Sequence, residues 1–167
     1  MAMICFTHAR LRGLSESNID LLVWVDDDNC LAPNYLEHAL QVFQTSPALG
    51  AAGGASILGF DIPPPVWYEP GLAPFGCRDL GDEEIWIRWD IDQPAYSARA
   101  LIGAGVVIRR PAMQVWAEAV AQDTARLRFG RRGVSLSSDE DNDINLTLLL
   151  EGWELAYLPQ LRLVHYS

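Results

Sequence analysis

Leu21-Leu22-Val23-Trp24-Val25 is an unbroken apolar run that stops at Asp26-Asp27-Asp28. Such a run reads as a strand covered on both faces, the kind found in α/β sheets. Its C-terminal end, where ligands usually bind in such sheets, carries three carboxylates. In extended backbone, side chains two apart share a face, so Asp26 and Asp28 can point the same way. Hard oxygen ligands of this type suit Mg²⁺ or Mn²⁺, often shared with the phosphates of a substrate. The plainer alternative is a polar turn completed by Asn29 and Pro33. Three adjacent like charges repel, however, and a turn needs only one of them, which favours the metal.

Working outward, Pro33 opens a helix with Leu36, Leu40 and Phe43 at i, i+4 and i+7, and Ser46-Pro47 ends it. Small residues from Gly50 to Ser56 lead to a second strand at Ile57-Leu58. From Asp61 to Pro94 the regularity is lost among prolines and aromatics. Leu101 to Ile108 reads as a strand containing Gly103 and Gly105. Pro111 starts another helix, with Val115, Ala119 and Trp116 facing inward. Arg126 to Gly133 is a basic loop. Ser137 with Glu140 fits a capping box that starts a helix through Ile144 and Leu148, closed by Gly152. Trp153 to Leu158 and Leu161 to His165 complete the pattern as two strands. Strands alternating with helices give an α/β class, and residues 1–167 are expected to form one domain.

Composition narrows the function. The chain has 167 residues with 12 basic and 22 acidic side chains, a formal net charge of −10. That balance argues against a nucleic-acid binder, because phosphate backbones attract clustered positive charge. All 12 basic residues are arginine, which removes P-loop, Schiff-base and lysine-dependent phosphatase chemistry. The longest apolar run, Ala100 to Ile108, is far short of the ~20 residues that span a bilayer. Three cysteines without C-x-x-C spacing give neither a disulfide framework nor a zinc cluster and fit a reducing, cytoplasmic setting.

The second acidic cluster is Asp139-Glu140-Asp141-Asn142-Asp143. It fails the EF-hand template, with Ile144 where a glycine is needed and Leu150 where a glutamate is needed. Two readings stay level: an acidic first turn that complements the helix dipole, and a carboxylate serving as general base toward a hydroxyl. His165 ends the last strand and, alone, reads as a satisfied histidine; His8 and His38 read as structural. The aromatics between Trp67 and Trp89 divide evenly between core packing and a flat platform for sugar rings. Arg109, Arg110, Arg126, Arg128, Arg131 and Arg132 read first as solvated charge, with an anionic ligand as the alternative. Asn145-Leu146-Thr147 matches a glycosylation acceptor but falls inside the predicted helix.

Leu22 through Pro33 resembles the Asp-x-Asp segment of GT-A glycosyltransferases of family 2, in which a Pro-initiated helix follows an apolar strand. Ile102-Gly103-Ala104-Gly105 through Arg109-Arg110-Pro111 is similar to that family's acceptor-side glycine strand and helix. Ser138 through Ile144 looks like its Glu-Asp motif, followed by Leu148, Gly152-Trp153, Ala156-Tyr157, Pro159 and His165. The resemblance covers nearly the whole chain, with four motifs in order. It implies a partial GT-A fold, a nucleotide-diphospho-sugar transferase-like mixed sheet flanked by helices. It also implies inverting transfer from a nucleotide-sugar donor to a saccharide or lipid-linked acceptor hydroxyl. Asp26, Asp28 and His165 would hold Mn²⁺ or Mg²⁺, with Asp27, Asn29 and Arg10 on the donor side. Asp141 would be the base, with Trp67, Tyr68, Trp86, Trp89, Gly103, Gly105 and Glu140 on the acceptor side. The implied location is cytoplasmic, including the inner face of the membrane.

The chain departs from the family in two ways. The strand–helix units that bind the nucleotide base precede the segments matched here, with Leu11 replacing the asparagine of an Ala-Arg-Asn-x-Gly segment at Ala9-Arg10-Leu11-Arg12-Gly13, and the family's longer C-terminal region would follow His165. The expectation is therefore the metal and acceptor half of the domain. Its first apolar strand would then be exposed on one side, covered by Met1 to Phe6 or by a second copy in a homodimer. Two alternatives remain: a non-catalytic remnant that binds a metal or a partner, and a haloacid-dehalogenase-type phosphatase. The phosphatase fits less well, with Cys30 where a threonine or valine is expected and no lysine.

Overall fold

The computed structural model describes residues 6–60, 63–64, 66, 77–128 and 140–166. The apolar run becomes β1 (Leu21–Val23). Trp24 extends its pairing by one residue: its N–H donates to the Val106 carbonyl and its carbonyl accepts from the Gly105 N–H, both at 2.9 Å. Beside β1 lies β6 (Val107–Arg109), antiparallel, with Leu22 opposite Ile108. Next come β3 (Leu49–Gly53), antiparallel to β6, then β7 (Glu154–Tyr157), parallel to β3. The far edge is β5 (Ile85–Ile87), antiparallel to β7, so the order is β1-β6-β3-β7-β5. A second sheet places β8 (Leu163–Tyr166) between β2 (Asn29–Leu31), antiparallel, and β4 (Ser56–Gly59), parallel.

Strand alternation sends neighbouring residues to opposite faces and so builds two cores. On one face, Leu22, Ala51, Ile108 and Leu155 pack with α1 (Phe6–Glu16), α3 (Arg110–Gln122) and α4 (Glu140–Leu150), through Leu14, Met113, Trp116, Ile144 and Leu148. On the other, Ala52, Val107 and Ala156 meet Tyr35, Ala39 and Phe43 of α2 (Tyr35–Thr45). Helices on both faces of a mixed sheet are the expected α/β layering. Each buried Leu or Met contributes about 1.5–3 kcal/mol to that arrangement.

Two adjacent arginines fasten both layers to one strand. Arg109 donates to the carbonyls of Phe43, Ser46 and Leu49 at 2.7–3.1 Å, satisfying the C-terminal end of α2. Arg110 donates to the Leu14 carbonyl at 3.1 Å and to Ser17 Oγ at 3.2 Å, doing the same for α1. Cations at helix C-termini also complement the dipole. Neither arginine is solvated charge, as composition alone suggested.

Other expectations are corrected by the packing. In α2 the inward stripe is Tyr35, Ala39 and Phe43, while Leu36 and Leu40 are 55% and 52% exposed. Tyr35 takes the buried position because its hydroxyl donates to the Gly105 carbonyl. The expected strand Leu101–Ile108 starts only at Val107, because Gly105 turns the chain at φ +73°. In α3 the buried face is Ala112, Met113, Trp116 and Val120, with Val115 and Ala119 on its flanks. β5 is ordered within the stretch read as irregular. A short 3₁₀ helix occupies Thr124–Arg128, where a basic loop was expected. The helix end at Gly152 and the two last strands fall where the sequence put them. The capping serine Ser137, the segment Met1 to Cys5, and Arg131 and Arg132 lie outside the described residues.

Candidate active site

The first carboxylates stand where β1 meets the second sheet. Asp26 to Asn29 forms a turn, the Asn29 N–H donating to the Asp26 carbonyl at 3.1 Å, and Tyr166 N–H anchors the Asp28 carbonyl at 2.8 Å. Asn29 lies opposite His165 in the β2–β8 ladder. His165 Nδ1 is 3.1 Å from Asn29 Oδ1 and 3.4 Å from Asp28 Oδ1. The Asp26 carboxyl is pushed above its usual range, first by burial against its neighbours and then by the negative charge of Asp28. Asp141 pushes the same way, whereas Arg10 and His165 oppose it. Asp26, Asp28, Asp141, Arg10 and His165 are therefore in one electrostatic neighbourhood, although the chain separates them widely.

Asp141 lies in the first turn of α4. Arg10 Nη2 donates to its Oδ1 at 2.7 Å, and the Gly103 N–H donates to its Oδ2 at 2.8 Å. Gly103 is required by proximity: a Cβ there would fall 2.4 and 2.5 Å from the Asp141 oxygens and 2.7 Å from Arg10 Nη2. Asn145, one turn along α4, holds the same loop by donating to the Leu101 carbonyl at 2.7 Å. A small cleft lies between Arg10, Gly103, Asp141 and Asn145. It shares Leu101 and Ile102 with a second small cleft walled by Arg78, Arg99 and Tyr157.

The rest of the acidic cluster has different work. Asp143 accepts from Trp116 Nε1 at 2.7 Å and from Arg126 Nε and Nη2 at 2.9 and 2.6 Å, tying α4 to α3 and the 3₁₀ helix. Arg126 is thus a structural partner, not solvated charge. Glu140 is buried at the start of α4. Asp27 is exposed in the turn.

Of the acceptor-side candidates, Gly103 and Gly105 sit beside Asp141 and under Tyr35 respectively. Trp86 lies on the far edge strand, with Nε1 donating to Glu84 at 3.3 Å, and Trp89 packs against the core beneath α3 and α4. Neither lines the cleft beside Asp141. Trp67 and Tyr68 lie outside the described residues. Tyr96 is nearer: its hydroxyl donates to Asn142 Oδ1 at 2.8 Å and accepts from Asn145 Nδ2 at 3.4 Å. Its hydroxyl is pushed up by burial, then feels Asp141 and Arg78 in opposite directions. Sequence reasoning missed Tyr96, Arg78 and Asn145. Only Asn145 left a signal, four residues beyond Asp141 on one helix face.

Among the described residues, no three His, Cys, Asp or Glu side chains converge as a ready metal cage. The negative charge of Asp28 acts on Asp26, and a divalent cation would relieve that repulsion. No helix among the described residues is long and apolar enough to cross a membrane.

A sequence profile described as "Glycosyltransferase like family 2" matches residues 6–167. Among curated proteins, none matches the chain.

Proposed function

The chain belongs to glycosyltransferase-like family 2, and from that premise we propose that it transfers a sugar from a nucleotide-diphospho-sugar to an acceptor hydroxyl with inversion. The observation that carries this reading is Asp141 at the wall of a cleft, with Asp26 and Asp28 near enough for the charges of all three to act on one another. Asp26 and Asp28, with His165 beside them, would hold Mn²⁺ or Mg²⁺ against the donor diphosphate. When bound, the metal offsets charge on the leaving nucleotide. Asp141 takes the proton of the acceptor hydroxyl as its oxygen bonds to the anomeric carbon, and the nucleoside diphosphate departs from the opposite side. Asp27 and Asn29 border the donor side, and Gly103, Gly105 and Glu140 the acceptor side. The test is calorimetry of UDP and GDP with and without Mn²⁺, followed by transfer assays on the wild type and Asp141→Asn. Full activity in Asp141→Asn would discard the base. Hydrolysis of a generic aryl phosphate would favour the phosphatase instead.

One observation favours a second reading, a non-catalytic module. The outer edge of β1 has no strand beside it among the described residues, and such edges associate. A homodimer that covers this edge accounts for it, and sedimentation as a monomer at high concentration would remove it. The module reading expects neither transfer nor hydrolysis of any nucleotide-sugar, even with Mn²⁺.

A further inference from the structure

Arg10 occupies an unusual place for a cation that the family resemblance assigns to the donor. It lies on α1 with only 7% of its surface exposed, and its guanidinium carbon is 6.0 Å from the centre of the Trp24 ring. A buried cation is stable only when paired. Its carboxylate partner is Asp141, 131 positions away, at 2.7 Å. The Gly103 amide engages the second oxygen of that carboxylate. One donor on each oxygen fixes both the tilt and the rotation of the group, while each oxygen keeps a further lone pair. The side wall is close as well: a Cβ on Gly103 would meet the Asp141 oxygens at 2.4 and 2.5 Å, and one on Gly13 would be 2.8 Å from the Trp24 ring.

We propose that Arg10 is the positioning residue for Asp141: clamped between the Trp24 ring and the carboxylate, its guanidinium, with the Gly103 amide, sets the direction in which Asp141 faces the cleft. This rests on the reading of Asp141 as the base. The planar fork matters as much as the charge. A lysine ammonium cannot stack on Trp24 in the same way or present a fixed donor edge. Arg10 Nη1 and Trp24 Nε1 are buried without a hydrogen-bond partner, so a direct contact with the donor is the competing role that the experiment must separate.

The experiment is amide NMR on the ¹⁵N-labelled full chain, comparing wild type, Arg10→Met, Arg10→Lys and Asp141→Asn. In Arg10→Met the Gly103 amide is expected to move upfield and exchange with solvent at least about tenfold faster, as an unfastened amide does. The amides of Val107 and Leu155, in the central strands, are expected to stay protected. A merely structural Arg10 would loosen these along with Gly103, and that pattern overturns the proposal. So does an Arg10→Met protein whose Gly103 amide is unmoved, including one that loses only affinity for Mn²⁺–UDP. If Arg10→Met does not fold, Arg10→Lys decides: faster Gly103 exchange sustains the proposal, and wild-type protection overturns it. In transfer assays Arg10→Met is expected to lower kcat about tenfold or more with donor KM unchanged. Full transfer by Asp141→Asn removes the base reading alone, while the Gly103 result judges the clamp independently.

Discussion

The two acidic segments of this chain look alike in sequence and behave differently in space. Asp26 and Asp28 stand at the mouth of the sheet with one histidine beside them and repel each other. Asp141 and Asp143 are each matched to an arginine, Arg10 and Arg126, at 2.7 and 2.6 Å. The first segment keeps repelling charge that a cation would offset. Asp141 and Asp143 are already paired, and what they offer is orientation. Density of carboxylates therefore says little about role; the partner each one already has says more.

The sharpest way to break this contrast is Asp141→Asn, which should lower transfer by about 10²–10⁴-fold while leaving Mn²⁺-dependent nucleotide binding in place by calorimetry. Next in size is Asp143→Ala. Stripping the partner from Arg126 and the Trp116 indole should cost about 3–5 kcal/mol, read as a Tm lowered by roughly 10 °C. If Asp143→Ala were harmless to folding, the division of labour within α4 would be wrong. Gly103→Ala should come third, costing about 1–3 kcal/mol by overpacking, and its loss of transfer should exceed its loss of stability. The smallest effect belongs to the first segment. Because the Asp26 carboxyl is held above its usual range, its ionised form is less favourable folded than unfolded, and stability rises as pH falls through that raised value. In metal-free buffer at neutral pH, Asp26→Asn should raise Tm slightly, a gain that closes as pH falls. Added Mn²⁺ should stabilise the wild type and not the variant.

Sequence periodicity gave β1, α4 and the last strands because each has a strong local signal: an apolar run, an acidic start and a glycine stop. It misplaced the inward face of α2, since leucines outrank a tyrosine until the Gly105 carbonyl supplies a partner for its hydroxyl. It read Leu101 to Ile108 as one strand because the two glycines sit among apolar residues, where composition masks a turn. The Asp-x-Asp pair and Asp141 could be singled out from sequence as residues. That Arg10 would hold Asp141 could not, since nothing in local spacing relates a helix at one end of the chain to another 131 positions later. Tyr96 was hidden for a similar reason, its meaning coming from two asparagines on a distant helix.

The paired caps at Arg109 and Arg110 also bear on how this fold tolerates change. Arg109, the last residue of β6, and Arg110, the first of α3, each terminate a helix, one per layer. Inserting a single residue just before them would exchange their faces and leave two helix ends bare at once. The junction of β6 and α3 thus acts as a common buckle, so that an error in its register is felt by both layers and not by one side alone.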